Sequence, residues 1–258
     1  GLEKLSGGKL ERILERLTSC TLKGLILGLV VTALMQCSSA TTVMVVGFVN
    51  SGIMQLSQAT GVIMGANIGT TVTAWLISLT GIEGDNPFIQ MLNPSNFSPI
   101  IAIIAVGILT FVKKGKKYNI ATILIGFAML MIGMSTMSET VKPLAEVPEF
   151  SRILTMFSNP VLGVLCGIIV TAVMQSSSAS VGILQALSST GALPLGSAIP
   201  IIMGQNIGAC STALISGVGA GKNAKRAAVI HLYFNVIGTV LFLALYYIAD
   251  GIFNFAFA

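Results

Sequence analysis

Apolar residues fill stretches 22–35, 40–49, 59–79, 99–112, 120–138, 160–187, 193–218 and 227–249, and short polar clusters interrupt or separate them. A bilayer core of roughly 30 Å takes about 20 consecutive apolar residues to cross as a helix. Residues 22–35 are too short for that. They run into Gln36-Cys37-Ser38-Ser39, and a second short apolar run, 40–49, follows. Two short helices around a polar tip predict a re-entrant hairpin, because irregular backbone at membrane depth is tolerated only where it lines protein or a water-filled cavity. Residues 59–79 can cross, with an interruption expected at 65–71. Residues 81–98 read as a polar loop carrying Glu83 and Asp85, and 99–112 and 120–138 as two helices around the basic run 113–117. Residues 139–158 are polar to amphipathic. The pattern then restarts with a hairpin at 160–187, a broken helix at 193–218, a basic turn at 222–226 and a long helix at 227–249. Ahead of all this, Leu2, Leu5, Leu10, Ile13, Leu14 and Leu17 form one helical stripe, which predicts an amphipathic helix over 2–17 lying at the interface.

The restart is literal. Residues 28–40 read GLVVTALMQCSSA and residues 167–179 read GIIVTAVMQSSSA, so Gln36 and Gln175 lie 139 positions apart (175 − 36). The same offset pairs Gly65-Ala66-Asn67-Ile68-Gly69 with Gly204-Gln205-Asn206-Ile207-Gly208. A duplicated polar interruption in a membrane protein marks a binding site at a repeat interface. The predicted fold is therefore an all-α multi-pass membrane protein of two repeats, 1–138 and 139–258, each with a re-entrant hairpin and a broken helix.

Composition agrees. Hydrophobic residues make up 54% of the chain and charged residues 9%, where a soluble domain carries about 25% charged residues. The net charge of +5 sits in short basic clusters without interleaved aromatics, a pattern for anchoring at the cytoplasmic surface and not for nucleic acid. Placing residues 113–117 inside puts 81–98 and 139–158 outside, and brings 222–226 and 2–17 inside as well. Under that topology the first hairpin enters from inside and the second from outside, so the two repeats are inverted. The chain begins at Gly1 without an initiator Met and ends in an apolar tract, which reads as a trimmed piece of a longer protein.

The clusters carry the candidate chemistry. Gln36, Ser38 and Ser39, and Gln175, Ser176, Ser177 and Ser178, supply amides, hydroxyls and backbone groups freed at a helix break. Carbonyl, amide and hydroxyl oxygens suit a small hard cation such as Na⁺. The N-terminus of the helix after the break suits an anion. Asn67 and Asn206 lie between glycines that admit bending or close approach. Thr73 and Thr212 pair at the same offset, and Thr32 and Thr171 lie one turn before the glutamines; any of these hydroxyls can also bond back to its own helix. Cys20, Cys37, Cys166 and Cys210 have no metal or redox spacing and read, like the twelve methionines, as packing residues. The sole histidine, His231, shares a helix face with Asn235 and reads as structural. No Gly-x-Ser-x-Gly surrounds the serines, so nucleophilic catalysis is disfavoured and the chain does not read as an enzyme.

These residues resemble a known family. QCSSATT with GANIGTT in the first half, QSSSAS with GQNIGA in the second, and His231-Leu232-Tyr233-Phe234-Asn235 are similar to motifs of the type II sodium-dependent phosphate cotransporters, and the first 17 residues resemble their bacterial branch. The resemblance implies sodium-coupled symport of inorganic phosphate across the cell (inner) membrane by alternating access, with Na⁺ as coupling ion and no cofactor. It implies substrate contacts from Gln36, Ser38, Ser39, Gln175, Ser176, Ser177, Ser178, Asn67 and Asn206. For sodium it implies Gln36, Ser38, Gln175, Ser176, Thr71, Thr73 and Thr212. The bacterial branch also implies an N-terminal helix before Gly1, more sequence after Ala258, and a PhoU-like soluble domain. Homo-oligomerisation stays open. Cys37 stands where the motif has Ser, and a thiol is a poor ligand for a hard cation. Ala209 and Cys210 replace two Thr, leaving Ser211 and Thr212 as hydroxyls in the second sodium cluster. Two other readings stay open: a sodium-coupled carrier of another small anion, and a phosphate-binding membrane sensor without transport.

Overall fold

The computed structural model describes residues 17–35, 37–78, 94–113, 116–145, 159–189 and 193–253. The helix expected over 2–17 therefore lies almost wholly outside the described residues, as do Gln36 and most of the 81–98 and 139–158 segments. The described elements are helical: α1 (Thr21–Met35), α2 (Ser38–Asn50), α3 (Leu56–Ser78), α4 (Pro94–Phe111), α5 (Lys116–Ala145), α6 (Pro160–Met174), α7 (Ser177–Ser189), α8 (Leu195–Gly208), α9 (Cys210–Gly217) and α10 (Lys222–Phe253).

Local signals set several ends. Pro160 opens α6, where its missing N–H costs nothing, and the Asn159 side chain accepts from the Val161 N–H at 3.0 Å. Ahead of α3, the Gln58 side chain accepts from the Gln55 N–H at 2.8 Å. At 15 residues each, α1 and α6 reach about 22 Å, short of a bilayer core. Among the described residues, two stretches are long and apolar enough to cross a membrane: Leu195–Gly217, which holds α8 and α9, and Lys222–Phe253.

Three expectations are corrected. Residues 65–71 do not interrupt their helix: α3 is continuous through Gly65 and Gly69. Those glycines serve close approach to α1. A Cβ on Gly65 would fall under 3.0 Å from the Leu25 carbonyl oxygen, and one on Gly28 equally close to that of Val62. In the second half, Gly204 and Gly167 make the same contact against Val164 and Ile201. Secondly, residues 222–226 are not a turn. The chain turns at 218–221, where Gly219 has φ +78° and the Gly221 N–H donates to Asn50 Oδ1 at 2.8 Å, and α10 starts at once with Lys222. Lysine and arginine are good helix formers, so the charge does not stop the helix. Thirdly, the helix expected over 120–138 runs from Lys116 to Ala145. The break expected within 193–218 reduces to one residue between α8 and α9, Ala209, whose backbone is still helical (φ −61°, ψ −22°).

Contacts divide the chain into two compact units. The first contains α1, α2, α6, α8, α9 and α10, with α3 up to Ala74 and α7 up to Val181. Its core joins Val45, Val46 and Val49 of α2 and Val62 and Ile63 of α3 to Ala213 of α9 and Ala224, Ala227 and Ala228 of α10. Alanines on one side leave room for β-branched side chains on the other. In lipid such contacts stabilise through packing, since acyl chains are as apolar as the side chains. The second unit contains α4 and α5, packed on each other through small residues that include Ala105, Ala121 and Ala128.

Candidate binding site

The helix bounds recur at the offset read from the sequence: Thr21–Met35 with Pro160–Met174, and Ser38–Asn50 with Ser177–Ser189. One hydrogen bond recurs with them. Thr32 Oγ1 donates to Thr41 Oγ1 at 3.0 Å, and Thr171 Oγ1 donates to Ser180 Oγ at 2.9 Å; both bonds are buried and tie the two helices of a pair together. Thr32 and Thr171 are thus bridges within a pair, and not simply bonded back to their own helices.

At the end of α6 the backbone passes through the left-handed region at Gln175, at φ 55° and ψ 19° the only non-glycine with positive φ among the described residues. Its side chain is exposed, and its Nε2 donates to Ser211 Oγ on α9 at 3.1 Å and to the Ala172 carbonyl. The next residue, Ser176, precedes α7, and its Oγ accepts from the Ala179 N–H at 3.3 Å. Ser177 and Ser178 form the first turn of α7 and are half-buried. Backbone N–H groups of that turn collect at the break.

In the first pair the residue before the second helix is Cys37, where the second pair has Ser176. Cys37 precedes α2 with extended backbone (φ −147°, ψ 95°) and makes no side-chain cap, because a thiol is a weak acceptor. Ser38 is buried and Ser39 half-buried, and both carbonyls accept from Thr42 Oγ1, at 3.0 and 3.1 Å. Cys37→Ser restores the missing acceptor in a backbone already set for it. We expect a gain of about 1 kcal/mol in stability, and Ser176→Ala to lose about as much. Thermal melting of the detergent-solubilised variants checks both, and an unchanged Cys37→Ser midpoint would contradict it.

A cavity of about 470 Å³ lies among α3, α7, α8 and α10, with Asn67, Thr71, Asn206, Asn235 and Thr239 as polar lining and Phe234 and Phe242 as aromatic lining. It brings together Asn67, Asn206 and Thr71 of the sequence-predicted set. Thr71 Oγ1 donates to the Ile68 carbonyl at 2.7 Å and Thr212 Oγ1 to the Ala209 carbonyl at 3.0 Å. Each hydroxyl thereby spends its proton and keeps its lone pairs, the state in which it can ligate a cation. Thr73 is buried.

One functional candidate was legible only as a structural residue. His231 is buried, and its Nε2 lies 3.0 Å from Asn67 Oδ1, 164 positions away. Asn235 Nδ2 donates to the His231 carbonyl at 3.0 Å and to Cys210 Sγ at 3.2 Å, and Thr239 Oγ1 donates to the Met203 carbonyl at 3.1 Å. The polar spacing 231, 235, 239 was the available signal: one helix face that turns away from lipid.

The distribution of side chains is inside-out. Leu34, Val173 and Phe111 are 80%, 77% and 88% exposed, whereas Thr32, Thr41, Thr171 and Ser180 are buried. Apolar surfaces turned outward over buried polar groups define a helical membrane protein. The sequence profile of the Na⁺/Pi-cotransporter family matches residues 1–139 and again residues 130–257. The chain belongs to the Na⁺/Pi-cotransporter family, a family of transporters and not of enzymes, whose general activity is phosphate transport. It is 29% identical over 254 residues to the Bacillus subtilis (strain 168) protein YqeW, carried as an uncharacterized protein, covering 97% of this chain and 78% of that one. It is 23% identical over 244 residues to YjbB of Escherichia coli (strain K12), named for inorganic phosphate export, covering 94% of this chain but 42% of the relative. Over 96 residues it is 41% identical to the Rattus norvegicus sodium-dependent phosphate transport protein 2A, covering 35% of this chain and 15% of that protein. No solved structure matches the chain.

Proposed function

We propose that this chain carries inorganic phosphate across the cell (inner) membrane together with sodium ions, by alternating access between two inverted repeats, 1–138 and 139–258. The two helix pairs act as re-entrant hairpins, and their tips at 36–39 and 175–178 hold the substrate. The recurrence of helix bounds and of the buried Thr32–Thr41 and Thr171–Ser180 bonds at one offset carries this reading. Two segments so alike are expected to pack as equivalent halves of one binding centre.

At the second tip, Gln175, Ser176, Ser177 and Ser178 meet the phosphate through the amide, hydroxyls and N–H groups at the start of α7. Gln36, Ser38 and Ser39 do so from the first, with Asn67 and Asn206 as further contacts. Sodium takes hydroxyl oxygens of Thr71, Thr73 and Thr212 and oxygens of Gln36, Ser38, Gln175 and Ser176. Both charges then enter a neutral site as a compensated set, which avoids the large cost of burying either alone.

Reconstituted proteoliposomes test this directly. Labelled phosphate uptake should need an inward sodium gradient; uptake in choline buffer equal to that in sodium buffer would sink the reading. Competition by sulfate, arsenate and dicarboxylates separates phosphate from other anions, and binding without flux would favour a sensor. The name of the Escherichia coli relative favours a second reading, net export. Reversing the sodium gradient across the same vesicles decides whether phosphate follows it outward.

A further inference from the structure

His231 lies outside the cavity lining, yet its ring touches the one asparagine of the first half that belongs to it. We propose that His231 is a positioning residue that sets the polarity of Asn67, so that Asn67 offers a hydrogen-bond donor to the cavity and recognises an oxygen of the transported oxyanion, not a sodium ion. This rests on the functional reading above and goes further in dividing the labour of the site.

An amide can be turned either way, and the ring decides which way is cheaper. Two buried atoms lack partners here, Asn67 Nδ2 and His231 Nδ1. With the proton on Nε2, the imidazole donates to Asn67 Oδ1, and Nδ1 is left as a bare lone pair. The unmet N–H groups then all belong to Asn67, a residue of the cavity lining; its Nδ2 is itself buried, and a small turn of the side chain would bring it to an entering oxygen. With the amide reversed, Asn67 donates to Nε2 and the ring proton moves to Nδ1, where a buried N–H faces no partner and no cavity. A stranded N–H is rarer and costlier than an unused acceptor. The ring does not choose its place freely. Asn235 bonds the His231 carbonyl and Cys210 Sγ, and Thr239 bonds the Met203 carbonyl, so α10 is pinned to α8 and α9 beside the cavity. Asn206 occupies the equivalent register and lines the same cavity, but it is exposed and its amide has no side-chain partner among the described residues. Of the two asparagines, only Asn67 has its polarity set.

His231 is the only histidine of the chain, which makes the test specific. Nitrogen-15 NMR of the native protein, labelled at histidine and held in nanodiscs, should report the Nε2–H tautomer. In proteoliposomes, His231→Ala should raise the half-saturating phosphate concentration about tenfold, the cost of a misaligned hydrogen bond to a charged group. The sodium half-saturation should stay unmoved, and His231→Gln, whose amide nitrogen can take the place of Nε2, should restore the phosphate value. The Nδ1–H tautomer would overturn the proposal, as would a shift in sodium dependence in place of phosphate dependence. If His231→Ala fails to insert, the tautomer of the native protein and the His231→Gln kinetics still decide. Failure of the native protein to take up phosphate with sodium would overturn the functional reading instead, and the tautomer would still report which end of Asn67 faces the cavity.

Discussion

Replacing Gln175 by alanine is expected to reduce sodium-dependent phosphate uptake at least tenfold, with protein level and membrane insertion intact. Gln175 is the residue that ends α6, and its φ of 55° is unusual for anything but glycine. A non-glycine is held there at a cost when its side chain has work to do. Its Nε2 already reaches Ser211 on α9, so the amide links the tip to the helix that carries Thr212. Hydrogen bonds to charged groups contribute about 1.5–3 kcal/mol each, and 1.4 kcal/mol is a factor of ten. Gln175→Gly provides the control, since it removes the amide with the rest of the side chain while relaxing the backbone. We expect Gln175→Gly to lose uptake like the alanine variant while melting no lower than the native protein. Native uptake by Gln175→Gly would mean that the turn alone matters, and that the side chain contacts no substrate.

The second large effect is on stability. Gly65→Ala and Gly204→Ala should each destabilise the protein, by about 1–3 kcal/mol or more, because overpacking forces a shift of backbone that cannot yield. In both places the added carbon would meet a carbonyl oxygen of the facing helix, Leu25 or Val164, at under 3.0 Å. Gly107→Ala and Gly126→Ala face open space and should be neutral or slightly stabilising, since alanine is the better helix former. Thermal melting of the purified variants reads this out. Equal midpoints for Gly204→Ala and Gly107→Ala would show that α6 and α8 do not approach so closely.

These same glycines show where sequence reading and structure part. Gly65 and Gly69 read as an interruption, since glycine between apolar runs signals a weak helix. The neighbouring α1 decides otherwise: close packing against its backbone stabilises a continuous α3. In the second half, the helical run is interrupted only at Ala209, whose backbone stays in the helical region. Cys37 was legible as a poor cation ligand, and its uncapped position before α2 adds a reason rooted in helix geometry.

The sequence by itself determined the apolar runs, the short helix pairs at 22–49 and 160–187, the offset that relates them, and the polar residues at their breaks. Those features depend on hydrophobic length and on turn chemistry, which act over a few neighbouring residues. Only the tertiary structure decided that Thr32 and Thr171 bridge their helix pairs, that Ser211 meets Gln175, and that His231 holds Asn67 from 164 positions away. A hydrogen bond needs its partners within about 3 Å and correctly directed. For residues far apart in the chain, that condition is set by how the helices pack and not by any local pattern of residues.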